Sequence, residues 1–95
     1  MYLLAFMINV SNLNPIITKN CIKMSPEDAS VEAIKVIKGY EKMNLKCERK
    51  PEVLSYNCVN KERGLIGKVV VVKELDECKS FPNKLSNDLR NLLGR

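Results

Sequence analysis

The 95-residue chain is 45% apolar and 28% charged, which excludes a disordered chain and allows one domain built on one core. Sixteen Lys and Arg stand against eleven Asp and Glu, a net +5 that suits polyanions, anionic surfaces or acidic partners. The chain contains no histidine, which excludes His-ligated metals and the Ser-His and Cys-His nucleophile pairs.

The first ten residues, MYLLAFMINV, carry about eight apolar residues in a row. They lack the basic opening and small-residue cleavage site of a signal peptide, and fall far short of the ~20 residues that span a bilayer. They predict a buried strand over residues 2–10, and without a targeting or membrane signal the expected location is the cytoplasm. Ser11-Asn12-Leu13-Asn14-Pro15 is turn chemistry, and the β-branched run from Ile16 to Ile22 predicts a second strand paired with the first.

Residues 25–46 predict a helix with two different faces. Ser25 supplies an N-cap hydroxyl, Pro26 suits the first helical position, and Glu27 and Asp28 favour the helix dipole. Ala29, Ala33, Val36, Ile37 and Tyr40 form one apolar stripe. Opposite them Lys35, Lys38, Lys42 and Lys46 form a basic stripe that runs into Arg49 and Lys50. Gly39 falls on the lysine face, and the periodicity on either side predicts that the helix continues past it.

Pro51 blocks further helix, and residues 52–59 predict a strand that starts beside it. Residues 60–64, ending in Gly64, are a hairpin loop, and 65–74, centred on Val69-Val70-Val71-Val72, form the strongest strand. A last helix is expected from Ser80, with Pro82 in its first turn, to Leu93. Its buried face is Phe81, Leu85, Leu89, Leu92 and Leu93, and Gly94 ends it. The expected fold is a single α+β domain over residues 1–95 in the order ββαββα, with a four-stranded, mostly antiparallel sheet and two helices. The first and last strands are apolar on both faces, so each belongs at the centre of a sheet covered on both sides. Either a helix lies on each face, or a partner or second copy covers the second one.

No GxGxxG, GxxxxGK[ST], GxSxG or HExxH pattern occurs, so nucleotide-binding and hydrolase templates fail. Cys21, Cys47, Cys58 and Cys78 lack metal-ligand spacing, and without a secretory context they are expected to be reduced and mostly buried; disulfides are the alternative. Cys47, beside Lys46, Arg49 and Lys50, is the candidate reactive thiol. Glu74, Asp76 and Glu77 are the one acidic cluster that could serve catalysis or Mg²⁺, though complementing a helix dipole explains them. Ala5-Phe6-Met7-Ile8-Asn9 resembles the opening strand of small viral ring-nuclease-type anti-CRISPR proteins. That family's Gly-His motif has no counterpart here, so neither residue nor activity is carried over.

The residues therefore point to a non-enzymatic binding module without metal or cofactor, holding RNA or DNA phosphate on Lys35, Lys38, Lys42, Lys46, Arg49 and Lys50. The rival is an assembly subunit, a homodimer or hetero-complex docking through an apolar sheet face, with the charge serving solubility. A small enzyme or inhibitor comes third.

Overall fold

In the computed structural model, residues 1–50 and 54–93 are described, with side chains to residue 91. Along them run β1 (Tyr2–Asn9), β2 (Pro15–Lys23), α1 (Pro26–Lys42), β3 (Lys46–Lys50), β4 (Ser55–Asn60), β5 (Leu65–Val72) and α2 (Leu75–Leu93). The strands form a five-stranded sheet in the order β2-β1-β5-β4-β3, with every neighbouring pair antiparallel. The fold is thus α+β with two helices, as expected, but the sheet has five strands and the order is ββαβββα.

The additional strand, β3, is the segment KCERK, where the sequence predicts no strand and the helix expected over residues 25–46 takes in Lys46. That helix stops at Lys42: Met43 caps it and Asn44 takes a left-handed conformation at φ 67°, which turns the chain back. Lys46 therefore sits on a strand, paired with Val59 of β4. At the other end Ser25 Oγ accepts from the Asp28 backbone N–H at 3.2 Å, and the helix runs through Gly39 unbroken.

The central strands β1 and β5 are covered on both faces from within the chain. Leu3, Ala5 and Met7 pack with Val69, Cys58 and Leu45 under Ala33, Val36, Ile37 and Tyr40 of α1. Leu4, Phe6 and Ile8 pack with Val70 under Cys78, Phe81, Leu85 and Leu89 of α2. A partner is not needed to cover the second face of β1, because α2 lies on it. Side-chain hydrogen bonds tie the layers together: Thr18 and Tyr40 share one at 2.9 Å, and Ser86 Oγ donates to the Leu13 carbonyl at 2.7 Å.

The α2 helix begins at Leu75, so Pro82 lies inside it rather than in its first turn. Burial of Leu75 and Cys78 against the sheet outweighs the usual preference of proline for a helix start. The expected roles of Pro51 and Glu52 before β4, of Leu92 and Leu93 in the buried face, and of Gly94 as terminator lie outside the described residues and side chains.

All four cysteines are oxidised, which corrects the expectation of buried thiols and of a reactive Cys47. Cys21 joins Cys78 across 57 residues with Cα atoms 5.9 Å apart, and Cys47 joins Cys58 across 11 residues with Cα atoms 4.0 Å apart. The second bridge links residues directly opposite each other on β3 and β4. The first ties β2 to the opening turn of α2. Its reach depends on register shifts between Leu3, Ala5 and Phe6 against β2, and on Cys21 itself at φ 53°.

This packing sets the expected cost of three variants. Removing the Cys21–Cys78 link with a double Cys→Ala variant should cost roughly 4 kcal/mol, and removing Cys47–Cys58 roughly 3 kcal/mol, on loop-closure entropy. Denaturant titration measures both, and intact-mass analysis under native and reducing conditions should differ by two hydrogens per bridge. Gly67 lies where β5 meets α1, and a Cβ there would stand 3.0 Å from Tyr40 Cδ2 and 3.2 Å from both Cys58 Cβ and Leu45 Cδ2. Gly67→Ala should therefore destabilise the fold by about 1–3 kcal/mol in the same titration.

Candidate anion-binding face

Five strands present two sheet faces, and two helices do not cover both. The α1 helix packs against β1, β5, β4 and β3, whereas α2 packs against β2, β1 and β5. On the α2 side, the half of the sheet made by β4 and β3 is left without a helix. Alternation decides what lies there. Cys47 and Tyr56 point toward α1, so Lys46, Glu48 and Lys50 of β3 and Asn57 and Val59 of β4 point to the open side.

Two hollows occupy this open half. One, of about 610 Å³, is bordered by Lys46, Glu48, Asn57 and Val59 and by Lys61 and Arg63 of the β4–β5 loop. The other, of about 510 Å³, runs between the sheet and the start of α2, bordered by Lys50, Lys68, Lys73, Val70, Val72 and Phe81. The first is bordered mainly by polar and charged residues, and the second by lysines, by Glu74 and Glu77, and by apolar side chains.

Of the six basic residues read from the sequence, Lys35, Lys38 and Lys42 lie exposed on α1, away from its buried stripe. Lys35 is drawn to Glu32 at 3.3 Å. Lys46 and Lys50 are exposed on the opposite side of the sheet, and Arg49, paired with Tyr56, stands on the α1 side of the β3 edge. The residues do not form a single helix stripe. Lys35, Lys38 and Lys42 lie on α1, Arg49 on the same side of the sheet at the β3 edge, and Lys46 and Lys50 on the other side of that edge. Val31 and Ile34, 54% and 47% exposed, add apolar surface to α1.

Sequence reasoning missed Lys68. It sits in β5, the most apolar strand, and only 9% of it is exposed. Its ammonium donates to Asn57 Oδ1 at 2.6 Å and lies 5.8 Å from the centre of the Phe81 ring. The ion pairs among the described residues join Glu32 to Lys19 and Lys35, so Lys68 has only neutral partners. Burial, and then repulsion from Lys50, hold its pKa below the usual lysine value. A lysine immediately before the Val69–Val72 run, in a strand otherwise apolar, was the available signal.

The acidic cluster has a plainer place. Asp76 and Glu77 occupy the first turn of α2 with Glu74 just before it, the arrangement that complements a helix dipole. Among the described residues no group of three His, Cys, Asp or Glu side chains is placed to hold a metal ion. No described helix is long and apolar enough to cross a membrane. Comparison with protein-family profiles, curated proteins and solved structures finds no match.

The depressed pKa of Lys68 sets a testable sign. Between its folded value and the ordinary 10.5 the unfolded chain binds more protons than the folded one, so this residue's contribution to stability rises with pH across that window. Tyr40, raised by burial against the lowering effect of Thr18, acts in the opposite direction but is common to both proteins compared. Wild type should therefore gain stability relative to Lys68→Met between about pH 7 and about pH 10. Urea titrations at both values measure the difference, and a flat difference would show that Lys68 is not perturbed.

Proposed function

We propose that the protein is a non-enzymatic binding module that holds a polyanion, with nucleic-acid phosphate as the ligand chemistry. The observation that carries this reading is that Lys35, Lys38 and Lys42 are exposed on α1, and Lys46, Arg49 and Lys50 are exposed on β3 at the edge of the sheet. Lysine predominates among them, and lysine attracts phosphate as a point charge without the fork that reads a base or grips one phosphate in two places. The reading is therefore of backbone contact with little sequence preference. The absence of histidine and the position of the carboxylates at a helix start support binding over catalysis.

The disulfides bear on location. Two bridges in a chain of this size favour an oxidising compartment over the cytoplasm expected from the sequence. The polyanion is then one met outside the reducing cytosol, and nucleic acid serves as its probe.

A second reading has its own observation. Ile16 and Ile22 of β2, at the other edge of the sheet, are 58% and 43% exposed. Such a surface supports an assembly subunit that docks a second copy or another protein along that edge.

Salt dependence separates the two. Each lysine–phosphate contact releases condensed counterion, so log affinity should fall against log salt by roughly 0.7–0.9 per contact. Changing Lys38 and Lys42 together to Gln should flatten that slope by roughly 1 to 2 units and move stability by less than about 0.5 kcal/mol. An unchanged slope, or no binding at low salt, overturns the polyanion reading. A dimer in sedimentation that persists in high salt and dissociates on Ile16→Lys supports the assembly reading.

A further inference from the structure

We propose that the cleft between the open sheet half and the start of α2 binds a small amphiphilic anion, its charged head on Lys50 and Lys68 and its apolar body on Phe81, Val70 and Val72. This goes beyond the polyanion reading and shares only Lys50 with it. Three features of the cleft converge. Its volume of about 510 Å³ suits a small organic molecule rather than a lone inorganic ion. Its lining holds both chemistries: Lys50, Lys68 and Lys73 bring three ammonium groups against the carboxylates of Glu74 and Glu77, and Val70, Val72 and Phe81 bring apolar side chains. The third feature is Lys68 itself, a nine-tenths buried cation that borders the cleft and whose partners among the described residues are an amide and an aromatic ring.

An anion seated there would change the electrostatics in its own favour. Lys50 and Lys68 repel one another, and a carboxylate, sulfonate or phosphate head between them replaces that repulsion with two charge-assisted hydrogen bonds. The contact lies in a partly desolvated cleft, where such bonds are stronger than in water. Glu74 and Glu77 also border the cleft, and they disfavour an extended polyanion more than a compact single head. The apolar body gains from the exposed part of Phe81 and from Val72, which no side chain of the sheet covers fully. A head without a body, or a body without a head, satisfies only one of the two chemistries.

The probe is 1-anilinonaphthalene-8-sulfonate, which carries one sulfonate on an aromatic body, with the intact oxidised protein at fixed ionic strength. Backbone NMR should show its shift changes centred on Lys68, Val70 and Phe81, and fluorescence should report saturable binding. Lys50→Gln, at an exposed position that leaves the fold undisturbed, should weaken binding roughly tenfold through loss of one charge-assisted contact. Phe81→Leu should weaken it while keeping the core filled, and Lys68→Met should reduce it further. Decanoate and phenyl phosphate, added as competitors, distinguish an aliphatic from an aromatic ligand; inorganic phosphate alone should compete poorly. Shift changes centred instead on Lys46, Lys61 and Arg63, or affinity within twofold of wild type for both Lys50→Gln and Lys68→Met, would overturn the proposal. A flattened nucleic-acid salt slope in the Lys38, Lys42 double variant with the probe still bound would show that the two surfaces act separately.

Discussion

The rest of this structure depends on β1 being apolar on both of its faces. Leu4, Phe6 and Ile8 point one way and Leu3, Ala5 and Met7 the other, and five of these six residues are fully buried. Such a strand is stable only between two covers, and the chain has two helices to supply them. One must therefore lie on each side, centred near β1 and β5. Two helices placed there cannot also reach across five strands on both faces. The open half above β3 and β4 is the geometric remainder of covering the centre.

The disulfides reinforce the two places where that arrangement is weakest. The α2 helix carries Pro82 in its interior and buries a partial set of side chains, so its opening turn gains most from a covalent tie to β2. The cost is local, a left-handed Cys21 of the kind that disfavours non-glycine residues by about 1–3 kcal/mol, and the loop closed by the bridge offsets it. At the opposite edge β3 has five residues, four of them charged, and little hydrophobic reason to pair. Cys47 is its one side chain packed on the core, and its bridge to Cys58 fixes both the pairing and the register. Each bridge thus holds an element that burial alone holds loosely.

The same facts explain what could be read in advance. The first two strands, the 60–64 hairpin loop and the apolar stripe of α1 were legible because burial imposes a period on the sequence. The strand β3 was not, since a pattern of charged residues around a cysteine looks like solvated surface, and its order comes from a partner 11 residues away. The start of α2 was misread because proline is a strong local signal and the competing signal, burial of Cys78, is tertiary. At the candidate site the lysines of α1 and β3 were legible as charge but not as residues on two sides of the sheet. Their division between the sides of the sheet follows from Asn44 ending the helix, which composition does not announce. Lys68 stands immediately before the Val69–Val72 run, inside a segment whose apolar residues announce strand core and hide its chemistry.

Charge on an edge strand has an explanation that needs no ligand. Lysines along β3 discourage pairing with a second sheet, and this alone accounts for Lys46 and Lys50 being exposed there. It does not account for Lys68, which is two strands in from the edge and shielded from any incoming strand. A methionine or leucine at that position would fill the same space without the desolvation that lowers the lysine's pKa. Nor does solubility need it, since a cation that is nine-tenths buried adds little to the surface charge. Protection of the edge thus accounts for Lys46 and Lys50 and leaves Lys68 unexplained. That remaining charge borders a hollow lined in part by apolar side chains, which is why the cleft beneath Phe81, rather than the more obvious helix stripe, carries the more specific chemistry.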